Sequence, residues 1–174
     1  MIASSRKAFE FARTAHLGQV RKLSAAPYIV HPVRVAATLA KYGEPLPVVD
    51  AGMLHDVVED TPFTLQDITA EFGQYISQLV YWVTNPKPTG VKRDLRKRIE
   101  RQKINQAPPE AKSIRLADLY DNLFDFKALL LDDPEFATLY INEKVELIPY
   151  LRTGNSRLFD LVHARVYDCL VLTK

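Results

Sequence analysis

Apolar residues recur at helical spacing along most of the chain. Ala8, Phe9, Ala12 and Ala15 fall on one side of a helix predicted over 4–17, and Gly18 ends it because glycine readily adopts the left-handed conformation found after helix C-termini. The same spacing predicts helices over 31–43, 47–58, 64–73, 76–83, 91–106, 109–131, 133–152 and 155–172. No stretch shows the period of two that marks a strand. The pattern predicts an all-α fold, a compact bundle of about eight or nine helices.

Prolines and short polar residues mark the boundaries of these helices. Pro62 ends the third helix, because the residue before a proline is pushed away from helical angles. Thr64 followed by Asp67 resembles a capping box, which starts the next helix. Pro149 is expected to kink or shorten the helix over 133–152. The run 85–90 is rich in proline and ends in glycine, so it is predicted to be a loop.

The composition is that of one ordinary globular domain. The chain has 174 residues, of which 47% are apolar and 25% charged. Its 23 basic and 21 acidic side chains give a net charge of +2, which offers no overall reason to expect a nucleic acid or an acidic membrane as partner. The charge is uneven: residues 1–86 hold 7 basic and 8 acidic groups, 87–115 hold 10 and 3, and 116–174 hold 6 and 10. An anionic ligand is therefore expected near the stretch 87–115.

The chain has a single cysteine, Cys169. It therefore cannot form an internal disulfide or a metal site built from several thiolates, and a reducing compartment fits this. The N-terminus lacks the apolar run of a signal peptide, and no window approaches the roughly 20 apolar residues that a membrane helix needs. We expect a cytoplasmic protein without membrane contact.

Four ionisable side chains crowd a helical segment that is otherwise small or apolar. They are His55, Asp56, Glu59 and Asp60. A buried charge is costly unless it is paired or bound to metal, and imidazole with carboxylate suits a divalent cation. The His-Asp dipeptide alone is weak, because 4 His and 12 Asp in 174 residues give about 0.3 such pairs by chance. Neighbouring helical residues also point about 100° apart, so further ligands must come from elsewhere.

Two distant residues can complete such a site. His31 stands at a predicted helix start, just before Pro32, and Asp118 interrupts an apolar helical run. Together with His55 and Asp56 they supply two nitrogen and two oxygen donors. This set contains no sulfur and suits Mn²⁺, Fe²⁺ or Zn²⁺. A cation held there lowers the pKa of its water towards neutrality and so supplies a nucleophile.

Four ordered motifs resemble a known family. They are Gly18-Gln19-Val20-Arg21-Lys22, Pro27-Tyr28-Ile29-Val30-His31-Pro32, Leu54-His55-Asp56-Val57-Val58-Glu59-Asp60-Thr61, and Leu116-Ala117-Asp118 with Asn122. In this order they resemble the hydrolase domain of the RelA/SpoT superfamily, whose members are HD-type phosphohydrolases acting on the alarmone (p)ppGpp. The resemblance covers most of the chain and leaves no room for a synthetase or regulatory domain, so the chain looks like a stand-alone small alarmone hydrolase.

The resemblance implies a function and a domain organisation. It implies one HD-type hydrolase domain over 1–174. This domain would remove the 3′-pyrophosphate of (p)ppGpp and release it as pyrophosphate, and pppApp stays open as a second substrate. The implied partner is a small nucleotide substrate, and neither a nucleic acid nor a membrane is expected as a partner. Whether the chain forms a homo-oligomer stays open. The preference for guanine or adenine also stays open.

The resemblance further implies a role for each matching residue. The metal ligands of the family, whose usual ion is Mn²⁺ with one ion per chain, correspond to His31, His55, Asp56 and Asp118. Glu59 and Asp60 correspond to the acidic pair assigned to catalysis, where a carboxylate orients the attacking water and handles its proton. The positions implied in substrate binding are Arg21, Lys22, Arg93, Lys97, Arg98, Asn122 and Tyr140.

The sequence departs from the family at Leu119, at Asp121 and in Ser24-Ala25-Ala26, and two other functions stay open. Asp121 stands where many relatives have His or Tyr, and it is expected either to lie near the phosphates, altering substrate choice, or to face solvent. The first alternative function is an HD phosphohydrolase acting on another phosphorylated nucleotide or cofactor. The second is a non-catalytic module whose cationic stretch binds RNA or an acidic partner.

Overall fold

The computed structural model describes residues 3–85 and 90–174, and helices dominate it. In chain order they are α1 (Ala3–Ala15), α2 (Val30–Lys41), α3 (Leu46–Leu54), α4 (Val57–Asp60), α5 (Leu65–Phe72), α6 (Gln74–Val83), α7 (Arg93–Asn105), α8 (Pro109–Asn122), α9 (Phe126–Asp132), α10 (Pro134–Leu147) and α11 (Ser156–Val171). No strand occurs among the described residues, so the all-α prediction is confirmed. Residues 86–89 of the loop predicted over 85–90 lie outside the described part.

Helix α3 lies at the centre of the bundle. It packs against α1, α2, α6 and α8, and most of its side chains are buried. Gly52 allows its close approach to α2, because a Cβ atom there would collide with the fully buried side chain of Leu39. Helices α2 and α3 run antiparallel, so the first turn of α2 lies beside the last turn of α3. None of the helices described is both long and apolar enough to cross a bilayer.

The third predicted helix is wrong in its length. The prediction ran over 47–58, whereas α3 ends at Leu54 and α4 begins only at Val57. His55 Nδ1 is hydrogen-bonded to the carbonyl oxygen of Gly52 at 2.8 Å. Such side-chain bonds to nearby carbonyls compete with the regular hydrogen-bond ladder of a helix. The break therefore falls on His55 and Asp56, two of the four expected metal ligands.

The helix predicted over 109–131 is also interrupted. Helix α8 ends at Asn122, a 3-10 turn covers Leu123–Asp125, and α9 then begins at Phe126. Leu123 and Phe126 are both buried, at 1% exposure each. The turn therefore changes the direction of the chain while it keeps these apolar side chains in the core, a long-range requirement that local periodicity does not contain.

Several boundary predictions are confirmed. Gly18 has the left-handed φ of 80°. Thr64 and Asp67 form the capping box, in which each side chain accepts a hydrogen bond from the backbone N–H of the other. Pro149 shortens its helix, since α10 ends at Leu147 and the chain continues as a 3-10 turn over Ile148–Leu151.

We predict that Gly52→Ala destabilises the fold. The added methyl group must displace Leu39 within a packed interface, so the free energy of unfolding is expected to fall by about 1–3 kcal/mol in urea denaturation. The double variant with Leu39→Val makes room for the methyl group, and it is expected to lose less than the sum of the two single changes. A Gly52→Ala protein as stable as the parent would contradict the close packing of α2 on α3.

Candidate metal centre and its cleft

Four side chains from three separate segments meet at the junction of α2 and α3. His31 lies in the first turn of α2, His55 and Asp56 form the break before α4, and Asp118 lies on α8. His31, His55 and Asp118 are buried, and each offers one ligand atom within 4.8 Å of the others. Asp56 joins them, since its Oδ2 lies 3.0 Å from His55 Nε2 and 3.4 Å from His31 Nε2. We call these four residues the donor cluster; they are the four that the resemblance implied as ligands.

The spacing within the donor cluster fits one shared metal ion. His31 Nε2 lies 3.2 Å from His55 Nε2 and 3.3 Å from Asp118 Oδ1, and His55 Nε2 lies 3.8 Å from the same oxygen. Ligand atoms ~2.1 Å from one ion lie ~3.0 Å apart at octahedral angles and ~3.4 Å apart at tetrahedral angles. Lone pairs at these separations repel one another unless a proton or a cation lies between them. The HD-type arrangement of His and Asp is therefore a group that could bind a metal.

The outer nitrogens of both histidines are hydrogen-bonded. His31 Nδ1 lies 2.7 Å from Asp121 Oδ2, and His55 Nδ1 lies 2.8 Å from the carbonyl oxygen of Gly52. A carboxylate and a carbonyl can only accept, so Nδ1 is assigned as the donor in both rings. This orients each Nε2 towards the donor cluster, and the carboxylate on His31 also makes that ring a more basic ligand.

Asp121 is the residue whose place the sequence left undecided. The solvent-facing alternative is wrong, because only 2% of Asp121 is exposed. Its carboxylate supports His31 and also lies 3.7 Å from Arg21 Nη1. Asp121 follows Asp118 by three residues and therefore shares its face of α8. That spacing was the available signal, but only the packing of α8 against α2 reveals the partner.

The two carboxylates of the donor cluster are held just as firmly. Tyr28 Oη donates to Asp56 Oδ2 at 2.6 Å. Asn122 Nδ2 donates to Asp118 Oδ1 at 2.6 Å, and Arg115 Nη1 donates to Asp118 Oδ2 at 2.9 Å. Asn122, which the resemblance implied in substrate binding, thus also orients a ligand. Arg115, which no sequence motif singled out, holds the second oxygen of the same ligand carboxylate.

The carboxylates stabilise positive charge at this centre. Burial alone lowers the histidine pKa values, but interactions with Asp118 and Asp56 outweigh it, with Asp121 contributing at His31. They raise the pKa of His31 to about 11 and that of His55 to about 9. Burial acts in the opposite sense on the acids, yet the two histidines hold the pKa of Asp56 and of Asp118 well below the usual range. A site that favours an imidazolium in this way also favours a divalent cation, and the two compete for the same lone pairs.

A cleft of about 970 Å³ lies next to the donor cluster. Tyr28 and Asn122, which bond the two ligand carboxylates, form part of its wall. The predicted catalytic and substrate-binding residues that line it are Arg21, Lys22, Glu59, Asp60, Arg93, Lys97, Asn122 and Tyr140. Its volume is in the range of small-molecule sites, roughly 300–1,000 Å³. The cleft therefore has room for a nucleotide beside the donor cluster.

Arg98 is the predicted substrate residue that does not line the cleft. It lines a neighbouring cavity of about 620 Å³, which Arg93 and Lys97 also border. Arg93 and Lys97 are four residues apart on α7 and share one face, whereas Arg98 is turned about 100° from Lys97. The expectation that grouped Arg98 with the other two therefore has no support from this geometry.

Glu59 and Asp60 lie on α4 at the wall of the cleft. Glu59 Oε2 accepts a hydrogen bond from the backbone N–H of Asn85 at 2.7 Å. The backbone carbonyl of Asp60 accepts one from Gln19 Nε2 at 2.9 Å. These bonds tie the short helix α4 to the surrounding loops. Because both carboxylates border the cleft, their position suits proton transfer to and from a bound molecule.

Three predicted substrate-binding cations already have carboxylate partners within the fold. The pairs are Arg21 with Asp125 at 2.6 Å, Arg93 with Glu143 at 2.6 Å and Lys97 with Glu100 at 2.8 Å. The Arg93 pair is bidentate, the strongest form of this contact. The basic stretch counted in the sequence is therefore largely neutralised where it meets the cleft.

Comparison with known proteins gives both a family and named relatives. A model of the HD domain family matches residues 8–121. The chain is 35% identical over 144 residues to the guanosine-3′,5′-bis(diphosphate) 3′-pyrophosphohydrolase of Spiroplasma citri, across 81% of this chain and 19% of that protein. It is 47% identical over 79 residues to the bifunctional (p)ppGpp synthase/hydrolase SpoT of Escherichia coli K12, across 45% of this chain and 11% of that protein. The chain thus spans less than a fifth of the length of these curated relatives.

One solved structure is similar over nearly the whole chain. It is described as a metazoan ortholog of SpoT that hydrolyses ppGpp and plays a role in starvation responses. The TM-score is 0.84 at 26% identity, and the match covers 99% of this chain and 96% of that one. The similarity therefore includes α9 to α11, which follow the residues matched by the family model.

We predict that Asp121→Asn weakens metal binding. The amide still accepts a hydrogen bond from His31 but no longer carries the charge that makes the ring a better ligand, so the affinity for Mn²⁺ or Zn²⁺ is expected to fall by about 10- to 100-fold in calorimetric titration. Asp160→Asn, at an exposed position of α11, is the matched control and should bind as the parent does. Equal affinity in the Asp121→Asn protein would contradict a role for this carboxylate at the centre.

Proposed function

This chain belongs to the HD domain family, and from that membership we propose that it hydrolyses an alarmone nucleotide. The proposed reaction removes the 3′-pyrophosphate of guanosine 3′,5′-bis(diphosphate). The bond between phosphorus and the ribose 3′ oxygen breaks, and the oxygen of water forms the new bond to phosphorus. One water proton ends on the 3′ oxygen, so the products are guanosine 5′-diphosphate and pyrophosphate. We propose pppApp as a second substrate of the same chemistry.

One observation carries this proposal. Tyr28 and Asn122 connect the donor cluster to a nucleotide-sized cleft, in a chain that matches, nearly end to end, the structure of a protein described as hydrolysing ppGpp. The 3′-pyrophosphohydrolase named among the relatives supports the same reaction. Fold similarity alone would not carry it, because one fold can host many activities.

We propose Mn²⁺ as the resident ion, one per chain, held by His31, His55, Asp56 and Asp118. Two nitrogen and two oxygen donors without sulfur suit this ion, and the separations of the donor atoms suit a single cation. When bound, such an ion lowers the pKa of a water molecule and so supplies a nucleophile at neutral pH. The residues of the chain then hold the ligands in place, bind the nucleotide and move protons.

Glu59 and Asp60 are proposed to handle the protons. A carboxylate at the wall of the cleft can take the proton of the attacking water and return it to the 3′ oxygen as that bond breaks. The proposed nucleotide contacts are the predicted residues that line the cleft: Arg21, Lys22, Arg93, Lys97, Asn122 and Tyr140. Arg98 is left out of this set because it lines the neighbouring cavity.

We propose that 1–174 forms a single HD-type hydrolase domain. The family model ends at residue 121, but α11 packs directly on α8, and α10 packs on α11. Helix α10 also contributes Tyr140 to the cleft. The C-terminal helices thus complete the same site that the N-terminal ones begin.

A substrate panel tests the proposed reaction. Purified protein with Mn²⁺ is expected to release pyrophosphate from ppGpp, from pppApp or from both, and removal of the metal with EDTA should abolish this release. Release from neither nucleotide would contradict the proposal. Hydrolysis of another phosphorylated nucleotide or cofactor in the panel would indicate a different HD phosphohydrolase. Salt-sensitive RNA binding without any hydrolysis, unaffected by EDTA, would indicate a binding module.

We predict that His55→Ala and Asp56→Ala each lose the metal and reduce hydrolysis by on the order of 10²-fold or more, because the ion supplies several kcal/mol of the catalysis. Metal content is measured by mass spectrometry and folding by circular dichroism, which should stay helical. His163→Ala and Asp160→Ala remove the same side chains from exposed positions of α11 and should change neither readout. Unchanged metal stoichiometry in both cluster variants would show that the ligand assignment is wrong.

A further inference from the structure

Lys144 is a buried cation at the cleft that none of the sequence motifs singled out. It lies on α10, lines the cleft, and is 8% exposed. Its Nζ lies 4.5 Å from the centre of the Tyr140 ring, which the resemblance implied in substrate binding. Among the described residues its ammonium group takes part in no hydrogen bond and no ion pair. The lysine is thus largely buried, while its ammonium group has no anionic partner.

A second buried lysine shows what a structural lysine looks like in the same fold. Lys112 is 7% exposed, and its Nζ donates to the carbonyl oxygen of Asn105 at 3.1 Å and to Thr153 Oγ1 at 3.0 Å. These bonds replace water and offset the cost of burial. Lys144 has only the face of the Tyr140 ring in place of such bonds, so hydrogen bonding within the fold does not explain why a lysine stands there.

The other cations of the cleft wall differ from Lys144 in a systematic way. Arg21, Arg93 and Lys97 each have a carboxylate partner at 2.8 Å or less. Lys22 has none in the described part of the chain, but it is exposed to solvent. Lys144 therefore combines burial in the cleft with a charge that no neighbouring carboxylate neutralises.

The electrostatic surroundings of Lys144 point to an incoming anion. Burial, with the nearby charges of Arg115 and Lys97, lowers the pKa of Lys144 to about 8. Asp118 and Glu100 act in the opposite sense but do not compensate. Lys144 and Lys97 both line the cleft, and Arg115, which donates to the ligand Asp118, adds to the positive charge around Lys144. A phosphate group placed there would relieve their mutual repulsion and would be desolvated, which strengthens each contact.

We propose that Lys144 is a substrate-binding residue that contacts the pyrophosphate group in the cleft. The identity of the anion rests on the proposed function, whereas the existence of an anion site rests on Lys144 and its surroundings. A lysine acts on phosphate as a mobile point charge with three donors, so one residue can follow the group from substrate to released pyrophosphate.

The test compares three variants with the parent protein. Lys144→Met keeps the length of the side chain and removes its charge, and Lys144→Arg keeps the charge. Lys41→Met is the matched control, since Lys41 is an exposed lysine that also lies over a tyrosine ring. The probe is inorganic pyrophosphate, titrated calorimetrically into the full chain in one Mn²⁺ buffer, so ratios of Kd report on the protein alone. The thermal midpoint of each variant is measured alongside.

The expected result separates binding from stability. Lys144→Met should bind pyrophosphate at least about tenfold more weakly, as the loss of a contact between charged groups predicts, while its thermal midpoint equals or exceeds that of the parent because a buried unpaired charge is removed. Lys144→Arg should stay within about threefold of the parent. Lys41→Met should match it.

Two results would overturn the proposal. One is undiminished pyrophosphate binding by Lys144→Met. The other is weaker binding accompanied by a lower thermal midpoint or loss of folding, which would make Lys144 a structural residue. Hydrolysis of ppGpp is measured separately: if the parent protein does not hydrolyse it but Lys144→Met still weakens pyrophosphate binding, the proposed function fails and the anion site stands.

Discussion

At the junction of α2 and α3, Nε2 of His31 lies 3.2 Å from Nε2 of His55, and each of these nitrogens lies 3.0–3.8 Å from one carboxylate oxygen of Asp56 and one of Asp118. Lone pairs so close repel one another unless positive charge lies between them. Packing and hydrogen bonds from the surrounding residues hold these donor atoms together against that repulsion. The break after α3 lets both His55 and Asp56 reach the cluster. The close approach of α2 and α3 at Gly52 places His31 beside His55. Hydrogen bonds then fix each donor through Tyr28, Asp121, Arg115, Asn122 and the carbonyl of Gly52.

Charges around the cleft are likewise paired with opposite charges. A net charge of +2 conceals a basic stretch, yet at the cleft Arg93 is paired with Glu143 of α10 and Lys97 with Glu100 of its own helix, α7. Such pairing makes a poor surface for a long polyanion, whose affinity depends on many unpaired surface cations. It leaves Lys144 in the cleft wall without a carboxylate partner, in surroundings where Arg115 and Lys97 add positive charge. That layout suits a short and highly charged ligand, which agrees with the nucleotide proposed as substrate.

Much of the fold and the ligand set could be predicted from the sequence, because helical periodicity is local and the ordered motifs carry His31, His55, Asp56 and Asp118. What could not be predicted depends on contacts between distant segments. The break at residues 55 and 56 follows from a side-chain bond that periodicity does not register. Asp121 could not be assigned before α8 was packed against α2. Lys144 belongs to a polar run, 142–144, that is typical of a solvated helix surface, and only the packing of α10 buries it.

The central claim is that the donor cluster holds one ion through all four residues, and a crystal structure grown with Mn²⁺ and recorded with anomalous scattering tests it most directly. We expect one strong anomalous peak per chain, within about 2.0–2.3 Å of His31 Nε2, His55 Nε2, Asp56 and Asp118. A peak that instead lay among the acidic residues of the cleft wall, or the absence of any peak at the cluster in Mn²⁺-saturated crystals, would contradict it.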